Sequence, residues 1–142
     1  MPGIGYTDIY SPIVKHTSIR ALFGLVAFND YELEQLDVTT TFLNGELEEE
    51  IFMQQPEGFV VPDKEDCVCK LKKSLYGLKQ SPRQWYKRFD SFVTGHELKR
   101  CTYDSCVYYK KCDIGSMVYL LIYVDDMSIA AKYMKEIQVI KD

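Results

Sequence analysis

Residues 119 to 131 read Tyr119-Leu120-Leu121-Ile122-Tyr123-Val124-Asp125-Asp126-Met127-Ser128-Ile129-Ala130-Ala131, and the fold turns on how this stretch is read. Two apolar, strand-forming runs flank a pair of adjacent acids, which predicts a β-hairpin with Asp125 and Asp126 in its tight connection. Buried arms would press two like charges into one confined spot, where they repel each other unless a cation neutralises them; a divalent metal ion is the natural one. The competing reading is architectural, because Asp bonds nearby backbone N–H groups in hairpin turns and tolerates unusual φ. A third carboxylate on a neighbouring strand would favour the metal, since Mg²⁺ is held by a few carboxylates together with substrate phosphates.

Leu36-Asp37-Val38 offers that carboxylate. Asp37 lies between apolar residues in a strand-like run from Glu32 to Thr39, which would place it at the end of a buried strand. Taken alone, Asp37 reads better as an N-cap or turn residue ahead of Thr39 to Leu43. Taken with the hairpin, it makes a set of three acids from two adjacent strands.

The remaining elements follow from periodicity and punctuation. Thr17 to Asp30 has Ile19, Leu22, Phe23, Leu25 and Val26 at helical spacing, with Thr17 or Ser18 as its cap. Asn44-Gly45 signals a turn, and Leu47 to Met53 is expected to be extended, with Glu48-Glu49-Glu50 on a solvated edge. Residues 54 to 66 are loop by composition, and Cys67 to Leu71 is a short strand. Ser81-Pro82 reads as N-cap and N1 of a helix reaching Thr94, with Trp85, Phe89 and Phe92 on its buried face. Cys106 to Lys110 and Met117 to Val124 are strands joined across Asp113-Ile114-Gly115-Ser116, and Lys132 to Asp142 is helical. This order predicts one α+β domain: an antiparallel sheet with helices packed on one face.

At 142 residues and 46% hydrophobic, the chain can bury one real core. No stretch approaches the ~18 apolar residues of a membrane span, and the N-terminus lacks a basic region followed by an apolar one, so neither span nor secretory signal is expected. The five cysteines form no C-x-x-C pair, and His16 and His96 fall at no zinc spacing, which fits free thiols in a reducing compartment. The net charge of -4 hides a division: residues 1–66 hold 3 Lys/Arg against 13 Asp/Glu, and residues 67–142 hold 14 against 8. Lys70, Lys72, Lys73, Lys79, Arg83, Lys87, Arg88, Lys99 and Arg100 face only Asp90 and Glu97 in their segment, which suits either a phosphate-tracking surface or a solvated helix with basic flanks.

Several segments match a known pattern together. Ser11-Pro12-Ile13-Val14-Lys15, Leu36-Asp37-Val38 with Phe42-Leu43-Asn44-Gly45, Gln55-Pro56-Glu57-Gly58-Phe59, the run from Ser74 through Tyr76-Gly77-Leu78-Lys79-Gln80-Ser81-Pro82-Arg83-Gln84 to Trp85, and Tyr123-Val124-Asp125-Asp126 resemble, in order and spacing, the reverse transcriptase of copia-type LTR retrotransposons. The resemblance runs from Tyr6 to Asp142. It implies a polymerase palm whose open sheet face is the active-site floor, with Asp37 and the acidic hairpin on neighbouring central strands. It further implies RNA-directed DNA synthesis on an RNA or DNA template with a primer, using dNTPs and two Mg²⁺ ions, with Mn²⁺ as a substitute. Asp37 and Asp125 are then the most direct metal ligands, Asp126 completes the acidic cluster, and the Val38 carbonyl is a further ligand.

The resemblance also assigns Phe42 to the ring beneath the nucleotide sugar that excludes a 2′-hydroxyl; by itself Phe42 reads as a core aromatic. Tyr76 and Gly77 match the loop that contacts the nucleotide, with Lys79, Gln80 and Arg83 toward template and primer; by themselves these residues make a turn and a helix cap. Integrase and RNase H are implied as polyprotein neighbours, with an intracellular, cytoplasmic location, virus-like particles and access to the nucleus included. Thr39, Thr41 and Ser128 depart from the pattern, and a buried Ser128 hydroxyl without a partner would cost about 1–3 kcal/mol. The chain is expected to hold partial fingers and palm, without thumb or RNase H. Two alternatives follow: a non-catalytic relic or nucleic-acid-binding fragment of the same element, and a palm-like nucleotidyl cyclase, whose Gly-rich acidic turn Tyr123-Val124-Asp125-Asp126 lacks.

Overall fold

The computed structural model describes residues 12–37, 46–78 and 81–142. Its elements, in order, are α1 (His16–Asn29), β1 (Glu32–Asp37), β2 (Phe52–Gln54), β3 (Val68–Lys70), α2 (Ser81–Gly95), β4 (Lys99–Arg100), β5 (Val107–Lys111), β6 (Met117–Tyr123), β7 (Asp126–Ala131) and α3 (Met134–Lys141). The two apolar runs around the acids form the β6–β7 hairpin at the heart of a five-stranded antiparallel sheet ordered β1-β7-β6-β5-β4, while β2 and β3 make a separate ribbon. Among the described residues β1 is therefore an edge strand, and its neighbour β7 is central.

Strand pleat divides the sheet into two faces. On one face Tyr108, Leu120, Ile122 and Ile129 are buried beneath α2 and α3: Phe89 of α2 meets the Tyr108 ring edge-on at 5.7 Å, and Lys141 of α3 pairs with Glu34 of β1. The expectation of helices on one face holds for these two. The third helix, α1, lies over part of the other face, where Ile19, Leu22 and Phe23 approach Leu121 and Ser128. Residues 128–131 of β7 are consequently buried on both faces, which removes the alternation a half-exposed strand would show.

The start of α1 and the buried face of α2 differ from expectation. Neither Thr17 nor Ser18 is the N-cap residue of α1, which begins at His16 after Lys15. The cap comes from 89 residues away: Asp104 Oδ2 accepts the Lys15 amide at 2.8 Å. In α2 the fully covered row is Ser81, Trp85, Phe89 and Val93, with Phe92 48% exposed. Residues four apart form a ridge inclined to the helix axis, so a helix crossing the sheet obliquely buries that row and leaves Phe92 at its margin. Of the extended stretch expected from Leu47, only Phe52–Gln54 pairs as strand, and Glu48 and Glu50 instead form ion pairs with Lys87 and Lys70. The Asn44-Gly45 turn lies outside the described residues. All five cysteines are free thiols, and no described helix is long and apolar enough to cross a membrane.

Candidate active site

The β1–β7 register runs from Glu32 opposite Ala131 to Asp37 opposite Asp126. The two acids thus face each other across adjacent strands, where side chains directly opposite share one side of the sheet with Cβ atoms roughly 4.5–5.5 Å apart. Asp126 is the first residue of β7 rather than a turn residue, since it also pairs with Tyr123; the two-residue connection is Val124 and Asp125. Both Asp37 and Asp126 are exposed, whereas Asp125 is half-buried. Asp37 and Asp126, with Gln35 and Tyr123, border an open cavity of about 470 Å³ whose opposite wall is the apolar Ile19, Leu22 and Phe23 of α1.

Like charges placed directly opposite in a sheet destabilise it. Among the described residues none of the three carboxylates has an ion-pair or hydrogen-bond partner, so their repulsion is not relieved by any described cation. Among the same residues no group of three or more His, Cys, Asp and Glu side chains converges closely enough to hold a metal ion. The arrangement is an opposed pair with a third acid next to it in sequence. That donor set fits Mg²⁺, which is held by one or two carboxylates and keeps its remaining positions for water and phosphate oxygens. Val38, given a ligand role by the resemblance, lies outside the described residues.

The connection itself is strained. Val124 has φ 56°, a left-handed conformation that costs a β-branched residue about 1–3 kcal/mol and persists only where its surroundings enforce it. The Trp85 indole N–H donates to the Val124 carbonyl at 3.0 Å.

The turn ahead of α2 is built around Gly77, whose φ of 90° suits glycine, and Tyr76 beside it is exposed. Instead of capping helix amides, the Ser81 hydroxyl donates to the Leu75 carbonyl at 2.6 Å and ties the turn to the start of α2. Arg83 sits half-buried on the first turn of α2, and its charge helps hold the Glu48 carboxyl below the usual range, after the larger effects of Lys87 and Gln84. Phe42, Lys79 and Gln80 lie outside the described residues.

The long basic segment is partly neutralised. Lys70 pairs with Glu50 and Lys87 with Glu48 of the acidic half, and Arg100 with Asp90 of the segment itself, while Lys72, Lys73, Arg88 and Lys99 are exposed. Sequence reading also missed a polar cluster behind α2: Tyr86 Oη donates to the Ser105 carbonyl at 2.8 Å, Tyr108 Oη to Asp90 Oδ1 at 2.8 Å, and Arg100 Nε to the same oxygen at 3.1 Å. Burial, followed by its bonds to Tyr86 and Asp90, pushes the Tyr108 phenol well above its usual range and keeps it neutral. Its only sequence signal is Asp90 beside Tyr86 at the margin of the helix's apolar face.

The sequence model of a family described as reverse transcriptase (RNA-dependent DNA polymerase) matches residues 1–142. The retrovirus-related Pol polyprotein from transposon TNT 1-94 of Nicotiana tabacum is 55% identical over 130 residues, covering 92% of this chain and 10% of that protein. The corresponding polyprotein from transposon RE2 of Arabidopsis thaliana is 39% identical over 128 residues, 90% of this chain and 9% of that protein. The truncated transposon Ty1-A Gag-Pol polyprotein of Saccharomyces cerevisiae is 32% identical over 131 residues, 89% of this chain and 10% of that protein. The chain spans about a tenth of the length of these relatives. No solved structure matches it.

Proposed function

Because the chain belongs to the reverse transcriptase (RNA-dependent DNA polymerase) family, we propose that it provides the polymerising centre of a copia-type retrotransposon Pol polyprotein, joining dNTPs to a primer 3′-OH on an RNA or DNA template. The observation behind this reading is the β1–β7 register, which sets Asp37 against Asp126 beside the Val124-Asp125 turn. When bound there as a pair of ions, Mg²⁺ would acidify the primer hydroxyl and neutralise charge on the triphosphate and the departing pyrophosphate.

The chain's own residues position the reactants. Asp37 holds the cation site from the edge strand, Asp126 from the central strand and Asp125 from the turn, and Val38 adds a carbonyl. Tyr123, on the same side of the sheet, borders the space where a nucleotide or primer end would lie. The turn at Tyr76 and Gly77 contacts the nucleotide, Phe42 excludes a 2′-hydroxyl, and Lys79, Gln80 and Arg83 meet the template and primer. Integrase and RNase H are the proposed neighbours in the polyprotein, and the cytoplasm the proposed site of synthesis.

Primer extension on an RNA template with dNTPs and Mg²⁺ tests the proposal. Product is expected from the chain, with loss of at least about a hundredfold in Asp37→Asn, Asp125→Asn or Asp126→Asn, the scale of removing a group that acts on the transition state. No product at all, or product that survives these substitutions, assigns the chain to a non-catalytic role.

A further inference from the structure

We propose that Trp85 is a positioning residue for the acidic turn: its indole N–H, bonded to the Val124 carbonyl, holds the backbone from which Asp125 and Asp126 project. This rests on the reading of those acids as cation ligands. Val124 holds a φ of 56°, one that a free valine avoids. A two-residue hairpin connection calls for positive φ at its first residue, a demand that valine meets only with strain, and here the turn carbonyl receives a side-chain donor from a residue 39 positions away. Tryptophan is the one largely apolar side chain that offers an N–H and no competing acceptor, so it can lie buried against Phe89, 6.0 Å between ring centroids, and still donate.

A donor restrains a turn only if it is itself fixed. α2 is fastened to the sheet behind the indole by the Tyr86, Asp90, Tyr108 and Arg100 hydrogen bonds, and Phe89 is wedged against Tyr108. At its other end, Ser81 is bonded to the Leu75 carbonyl in the Gly77 turn. One rigid helix therefore joins the proposed nucleotide-contact turn to the acidic turn. Groups that orient metal ligands from behind in this way tune affinity without touching the ion.

The 142-residue chain with Trp85→Phe keeps an aromatic ring and loses the donor. Amide hydrogen exchange over residues 123–126 is expected to quicken, and Mn²⁺ affinity measured by calorimetry to fall, each by about threefold to tenfold, the value of one neutral hydrogen bond, with cooperative melting retained. Adding Val124→Gly, which accepts positive φ without strain, is expected to bring Mn²⁺ affinity back to within about twofold of wild type. Wild-type exchange and affinity in Trp85→Phe would overturn the proposal, as would a double variant as weak as the single one, which would assign the indole to packing alone. Asp126→Asn, run in parallel, separates the two levels. If wild type binds Mn²⁺, Asp126→Asn does not and Trp85→Phe matches wild type, only the role of Trp85 fails. If wild type binds no Mn²⁺, or Asp126→Asn binds as well, the cation reading fails and takes the proposal with it.

Discussion

Asp104 shows how a single residue can be decisive and yet invisible locally. It is buried, accepts the amides of Lys15 and Cys106 at 2.8 Å and 3.0 Å, and closes the N-terminus of α1. Burial pushes its carboxyl up, but the Ser18 hydroxyl and the two amides outweigh that and hold it below the usual carboxylate range. A depressed folded value means that its stabilisation is complete above the unfolded carboxylate value, near ~4, and is lost as pH falls through the lower folded one. Asp104→Ala should cost about 1–2 kcal/mol at pH 7, the value of a helix cap and a buried acceptor. Urea unfolding from pH 7 down to pH 3 checks this: the difference from wild type should shrink toward the acid end, and a constant difference would mean that the charge has no part in it. Asp37, Asp125 and Asp126 could be read from the sequence because strand-forming residues surround them, and the pairing of Asp37 with Asp126 rather than with the turn follows from a register fixed only by the folded sheet. Asp104 could not, because its partners lie at the far end of the chain.

At the scale of elements, periodicity located both long helices and the acidic hairpin to within a residue or two, since their apolar spacing is local information. The orientation of α2 on the sheet is not local, and it decides which aromatic is buried. Phe89→Ala is expected to destabilise by about 3–5 kcal/mol, the usual range for a buried Phe, whereas Phe92→Ala should cost less than ~1.5 kcal/mol because half its surface already meets solvent. Equal losses in thermal or urea melts would return Phe92 to the core row. β3 lies within the stretch read as a short strand, Cys67 to Leu71, but Glu48 and Glu50, read as a solvated edge, are drawn into ion pairs with a basic segment some 20 to 39 residues away.

For the molecule as a whole, the sheet brings together acids from Asp37 and Asp126, 89 positions apart, and leaves them unneutralised by any described cation. The charge division along the chain is partly cancelled in space, so the proposed nucleic-acid contact would fall on Lys72, Lys73, Arg83, Arg88 and Lys99 more than on the paired lysines. If the opposed acids form the proposed divalent-cation site, their metal-free repulsion is a cost to the fold. Thermal melting of the chain with and without millimolar Mg²⁺ or Mn²⁺ tests this most directly. Wild type should melt higher with either ion, while Asp126→Asn should melt higher than wild type without metal and gain nothing from it, since removing one of two opposed like charges relieves the sheet and deletes the site. A wild-type melting temperature indifferent to both ions, or an Asp126→Asn variant that keeps the metal-induced rise, would contradict it.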